Sequence, residues 1–93
     1  MIRSFKDRRS EQAFGGRCPK GFPADLLSVA RRKLAMIDAA HDLRDLAVPP
    51  ANRLEALKGS RSGLHSIWIN DQFRVCFRWS AGDAYEVEIV DYH

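Results

Sequence analysis

The stretch Phe73-Arg74-Val75-Cys76-Phe77-Arg78-Trp79 decides the fold. Phe73, Val75, Phe77 and Trp79 alternate with Arg74, Cys76 and Arg78, the period of two that a half-buried strand requires. The apolar set must pack on another layer, so Arg74 and Arg78 share the opposite face. Before this strand, residues 64–69 read as a strand that ends in a tight turn at Asn70-Asp71, with Gln72 beside it. After it, Ser80-Ala81-Gly82-Asp83 reads as a hairpin loop and residues 84–90 as a third strand. There Tyr85, Val87 and Ile89 alternate with Glu86, Glu88 and Val90. The chain closes on Asp91-Tyr92-His93. Unbroken alternation sends Tyr92 to the face of Arg74, and Asp91 and His93 to the other.

Upstream of the strands the period changes. Residues 1–5 read as a short strand and residues 7–14 as a short helix. The breaker-rich run from Gly15 to Pro23 is a loop. Pro23 suits the first turn of a helix, and Asp25 complements its positive end. Leu26, Leu27, Ala30, Leu34 and Ile37 recur at three- and four-residue spacing, which predicts a helix over about residues 24–40. Arg31, Arg32 and Lys33 fall largely off that stripe, towards solvent. Residues 41–48 extend the helix or turn, and Pro49-Pro50 ends it. Two glycines and two serines mark a loop at residues 59–63. The chain contains no repeat and no low-complexity segment.

At 93 residues the chain makes one domain, residues 1–93, of modest stability. Its balance of 45% hydrophobic and 29% charged residues is ordinary for a globular protein. No apolar run approaches a membrane span, and Met1-Ile2-Arg3-Ser4-Phe5-Lys6 lacks the apolar core of a secretory signal. The expectation is a cytoplasmic protein without membrane partners. Cys18 and Cys76 match no metal-ligand spacing and read as two free thiols, with a single disulfide as the alternative. Residues 1–35 hold nine Lys/Arg against three acids, whereas residues 36–93 hold six against nine. A basic half of this kind suits a polyanion or an acidic partner chain, or is a solvated helix face.

Several side chains are of the types that cleave RNA. The 2′-hydroxyl of RNA is a built-in nucleophile. Its attack needs a base, an acid for the leaving 5′-oxygen, and cations around the phosphate. No metal or other cofactor is required. His93, Lys58, Arg61, Arg74 and Arg78 supply these types, and Asp91 or Tyr92 can orient or tune them. Taken singly, each basic residue also reads as a solvated surface charge and Tyr92 as a packing residue. His65 reads first as a strand histidine on the sheet surface. Trp68 reads as a base-stacking ring or as a core or partner contact. His41, near a helix end, has no catalytic reading.

Larger motifs narrow this. Leu57-Lys58-Gly59-Ser60-Arg61-Ser62-Gly63, Ser66-Ile67, Asn70, Gln72-Phe73-Arg74-Val75, Gly82-Asp83-Ala84-Tyr85 and the closing Asp91-Tyr92-His93 together resemble the HigB toxins of the RelE-like toxin–antitoxin superfamily. Arg32-Lys33-Leu34, Ile37-Asp38-Ala39-Ala40 and the opening Met1–Phe5 run look similar too. The resemblance implies a small α+β domain, with an N-terminal strand and two helices packed on one face of a mostly antiparallel sheet. It implies an endoribonuclease, or mRNA interferase, that cuts messenger RNA on the translating ribosome. Lys58, Arg74, Asp91, Tyr92 and His93 match its catalytic positions, and Arg61 a basic loop position for RNA; Arg78 joins Arg61 as an RNA-binding candidate. The implied partner is a HigA-like helix-turn-helix antitoxin, with operator DNA bound only through it. Two other readings stay open: a non-catalytic ParE-like inhibitor on the same scaffold, and an RNA- or antitoxin-binding module without activity.

Overall fold

A computed structural model describes residues 1–92. His93 lies outside the described residues. Asp7 caps the first helix, α1 (Arg8–Phe14), its carboxylate accepting from the Ser10 N–H at 2.8 Å. A 3-10 turn, Ala24–Leu26, leads into α2 (Leu27–Ala39). Pro23 sits one step earlier than its sequence reading, as the extended residue before that turn. Residues 43–46 turn rather than extend the helix, because Asp42 and Asp45 form a capping box around a separate 3-10 turn.

Four strands follow: β1 (Glu55–Ala56), β2 (Leu64–Trp68), β3 (Phe73–Ser80) and β4 (Asp83–Asp91). They form an antiparallel sheet in the order β1-β2-β3-β4. The short β1 has no alternating signature in the sequence; it exists by pairing with Ser66 and His65. In the β2–β3 turn, the Asn70 side chain accepts from the N–H groups of Gln72 and Phe73. The β3–β4 turn puts Ala81 and Gly82 both at positive φ, the two-residue geometry that matches strand twist.

The N-terminal segment adds a parallel edge to β4 through bridges at Ile2–Ala84 and Phe5–Val87. It is less continuous than the expected strand, and a bulge in β4 is the reason. Pairing slips between Cys76–Glu88 and Arg78–Tyr85, and Glu86 takes the left-handed conformation at φ 53°. The Ser4 hydroxyl accepts the Glu86 N–H at 2.8 Å, so the bulged amide is satisfied. The bulge also overturns the expected alternation on β4. Tyr85 lies opposite Arg78 on the open face instead of sharing the face of Val87 and Ile89.

Both helices cover one face of the sheet. The core between them comprises Ala13, Ala30, Leu34 and Ile37 against Ile67, Val75, Phe77 and Val87. Each large side chain buried there contributes about 1.5–3 kcal/mol relative to exposure. One residue on the helix side corrects the sequence reading. Lys33 is buried, not solvent-facing, and its ammonium donates to the Asn52 side chain in the turn Pro50–Asn52. It lies three residues after Ala30 and four before Ile37, which puts it on the buried stripe. Among the described residues, no helix is long and apolar enough to cross a membrane.

Candidate active site on the open face of the sheet

The face of the sheet away from the helices carries Trp68 from β2, Arg74 and Cys76 from β3, and Tyr92 just beyond β4. Trp68 lies directly opposite Arg74, and Ser66 opposite Cys76. The small side chains of Ser66 and Cys76 are buried and form the floor. The larger ones form a row above it. The Arg74 guanidinium lies 3.7 Å from the Trp68 ring centre and 5.3 Å from that of Tyr92. Arg61 lies 5.5 Å from the Tyr92 ring, and Arg53 is 4.1 Å from the Trp68 ring.

Backbone geometry holds Arg74 in this row. Its Nη1 donates to the Asn70 carbonyl at 2.6 Å and to the Phe73 carbonyl at 3.3 Å. The turn after β2 thus orients the guanidinium, and its other N–H groups carry no hydrogen bond among the described residues. Tyr92 is fixed at both ends. Its N–H donates to the Gln72 carbonyl at 2.6 Å, and its hydroxyl accepts from Arg61 Nη1 at 2.7 Å. Burial raises the Tyr92 phenol above its ordinary value, so it stays neutral near pH 7. Burial also raises the Cys76 thiol, while the hydrogen bond from Tyr92 and the charge of Arg61 pull it back. Cys76 and Cys18 are both free thiols.

Glu55, opposite Ser66, and Glu88, opposite Cys76, share this face, but neither pairs with the arginines of the row. Among the described residues, no carboxylate comes within ion-pairing distance of Arg53, Arg61 or Arg74. Clustered guanidiniums that no carboxylate pairs with repel each other and favour an incoming anion. The planar fork of Arg also matches phosphate better than an ammonium does.

The other sequence candidates are distributed around this row. Arg78 is not part of it: it lies four residues along β3 from Arg74, about 13 Å away, stacked on Tyr85 and paired with Glu86 at 3.8 Å. Lys58 is exposed at the mouth of the loop that carries Arg61, with no ion pair among the described residues. Asp91 is opposite Phe73 and points to the helix side, where both its oxygens are within reach of Gln72 Nε2, at 3.1 and 3.2 Å. It lines a cavity of about 120 Å³ with Asp7, Ser10, Phe22 and Phe73. The structure therefore gathers Arg74, Tyr92 and Arg61, and sets Asp91 on the reverse face. Tyr92 follows the alternation to the end of β4; the placement expected for His93 lies outside the described residues.

His65 is also on the helix side, opposite Phe77 and stacked on its ring at 6.1 Å. Its Nδ1 is buried with no hydrogen-bond partner among the described residues, and burial lowers its pKa. Trp68 has its ring occupied by arginines. Sequence reasoning missed Arg53 altogether. It follows a Pro-Pro turn, where no periodicity reports which way a side chain faces.

The model of RelE-like toxins of type II toxin–antitoxin systems, HigB, matches residues 3–93. The chain belongs to this family of HigB-like toxins. Two relatives align along most or all of this HigB-like chain. Toxin HigB-1 of Vibrio cholerae is 38% identical over 85 residues, which is 90% of each chain. Endoribonuclease HigB of Proteus vulgaris is 33% identical over 93 residues, the whole of both chains. An uncharacterized protein of Haemophilus influenzae is 40% identical over 57 residues, 61% of this chain and 56% of its own. The α+β architecture, two helices on one face of an antiparallel sheet, agrees with that membership.

Proposed function

We propose that this toxin is an endoribonuclease that cleaves messenger RNA on the open face of its sheet. The observation that carries the reading is the Arg74 guanidinium, oriented by Asn70, Trp68 and Tyr92 and left without a carboxylate among the described residues. The relative named Endoribonuclease HigB supports the same activity.

The chemistry is attack of a ribose 2′-hydroxyl on the adjacent phosphorus. A bond forms from the 2′-oxygen, the bond to the 5′-oxygen breaks, and the products are a 2′,3′-cyclic phosphate and a 5′-hydroxyl. Arg74 grips the phosphate oxygens, where negative charge grows in the transition state. Tyr92, neutral and anchored, presents its ring to the nucleotide instead of acting as a base. His93 and Lys58 are the proton-transfer pair: an imidazole is the side-chain type best suited to give or take a proton at neutral pH, and Lys58 stabilises the phosphate or donates a proton. Arg61 and Arg78 contact flanking RNA. Asp91 acts on its neighbours in the chain from the reverse side of the strand.

A type II toxin has a cognate antitoxin, and we assign that role to a HigA-like helix-turn-helix protein that carries the complex to operator DNA. The ribosome is the proposed setting for cleavage, in the cytoplasm. Arg8, Arg9, Arg17, Lys20, Arg31 and Arg32 are exposed on the helix layer and its loop, away from the site. A basic surface there suits ribosomal RNA while the opposite face holds the transcript. Mapping transcript ends after induction, with wild-type and Arg74→Ala proteins, tests the reading. New 5′-hydroxyl ends with the wild type alone are expected; identical cleavage by both overturns it.

A further inference from the structure

Arg53 is placed with unusual care for an exposed residue. Asn52, just before it, is fully buried and triply held. Its Oδ1 accepts from Lys33 Nζ, and its Nδ2 donates to the Leu46 carbonyl at 3.1 Å and to Met36 Sδ at 3.7 Å. Arg53 then takes the left-handed conformation, φ 46° and ψ 54°, with its N–H on the Pro50 carbonyl at 3.1 Å. A non-glycine residue is strained there, and such strain persists where surrounding structure imposes it. The effect is to turn the chain so that the guanidinium comes to rest on Trp68, the ring that also carries Arg74.

The two guanidinium carbons can be no farther apart than 4.1 Å and 3.7 Å laid end to end. Glu55 is on the same face, opposite Ser66, yet forms no ion pair with Arg53. Two cations at that spacing on one ring suit two anions that are themselves neighbours. A single RNA strand offers that arrangement in consecutive phosphodiesters.

We propose that Arg53 is a second phosphate ligand, binding the phosphodiester adjacent to the one held by Arg74, with Trp68 setting the spacing between the two cations. The inference rests on the open face being the RNA site. Trp68 is then a positioning residue, its ring occupied by arginines instead of a base. The Lys33–Asn52 contact acts from beneath by fixing the turn that aims Arg53.

The test is binding of an uncleavable 2′-O-methyl oligoribonucleotide to the intact protein, read by fluorescence anisotropy over a salt series. Arg53→Ala is expected to weaken binding roughly tenfold and to lower the salt slope by about one. Arg53→Lys keeps the slope but binds more weakly than wild type, because the charge remains and the planar stack is lost. Unchanged affinity and slope in Arg53→Ala, while Arg74→Ala weakens binding, overturns the second ligand and leaves the RNA site standing. Wild-type binding by both alanine variants overturns the site itself, and the inference with it.

Discussion

Arg61 Nη1 donates to the Tyr92 hydroxyl at 2.7 Å, which closes the loop after β1 onto the end of β4. The residues are 31 apart in sequence. Here the Gln72 carbonyl holds the Tyr92 amide and Arg61 holds its side chain, so the last described residue is tied at two points.

Tyr92→Phe keeps the ring beside Arg74 and removes the hydroxyl. The expected cost is about 1 kcal/mol of stability, read as a fall of about 4–8 °C in Tm. RNA cleavage should fall less than in Tyr92→Ala, which also removes the ring. Parallel melting curves and cleavage time courses check both statements, and equal rates in the two variants count against an orienting role for the ring.

Lys33 and Asn52 should respond unequally to mutation. Lys33→Met leaves Asn52 Oδ1 buried without its donor, which costs about 1–3 kcal/mol, offset in part because a desolvated ammonium is removed. Burial already lowers the Lys33 pKa, with the charge of Arg32 acting the same way. Asn52→Ala should cost more, because it strands the ammonium and exposes the Leu46 carbonyl to a void. Urea unfolding of both variants gives the order; a more stable Asn52→Ala protein contradicts it.

His65 makes stability depend on pH. Burial lowers its folded-state pKa below the unfolded value of about 6.5. The unfolded chain therefore takes up the proton first as pH falls. The resulting loss of stability begins near pH 6.5, grows as pH drops towards the lower folded value, and is absent above about pH 7.5. His65→Phe keeps a ring against Phe77 and removes the unpartnered Nδ1. The difference in unfolding free energy between wild type and variant should change between pH 8 and pH 5; a constant difference rules out this titration.

Glu86 occupies the left-handed bulge position of β4 at φ 53°. Glu86→Gly should stabilise the protein by about 0.5–1 kcal/mol, since glycine takes this conformation without a Cβ clash. The ion pair lost with Arg78 is exposed and 3.8 Å long, so it contributes little. Thermal melting checks the sign.

Where side chains obey a period, the sequence was readable. Alternation alone set Arg74 against the apolar face of β3, and three- and four-residue spacing marked Ala30, Leu34 and Ile37 as the buried side of α2. Each failure has a physical cause. The bulge at Glu86 adds a residue on one side of a ladder, so Tyr85 changed faces with no local sign in its neighbours. Lys33 reads as a solvated charge beside Arg31 and Arg32, although its spacing from Ala30 and Ile37 places it inwards; its partner Asn52 is 19 residues away. β1 is two residues long and depends on long-range pairing. Arg53 enters the row through a backbone turn, to which periodicity is blind. As for the site, alternation was enough to bring Arg74 and Tyr92 to one face. The reach of Arg61 across to Tyr92 depends on the fold of a glycine-containing loop.

Arg74 is proposed to act on the phosphate of a bound transcript. The direct measurement is the single-turnover rate of mRNA cleavage on programmed ribosomes by Arg74→Ala, with folding checked by its melting curve. The expected rate is lower by about 10²–10³-fold in a protein that melts like wild type. A folded Arg74→Ala protein that cleaves at the wild-type rate contradicts it.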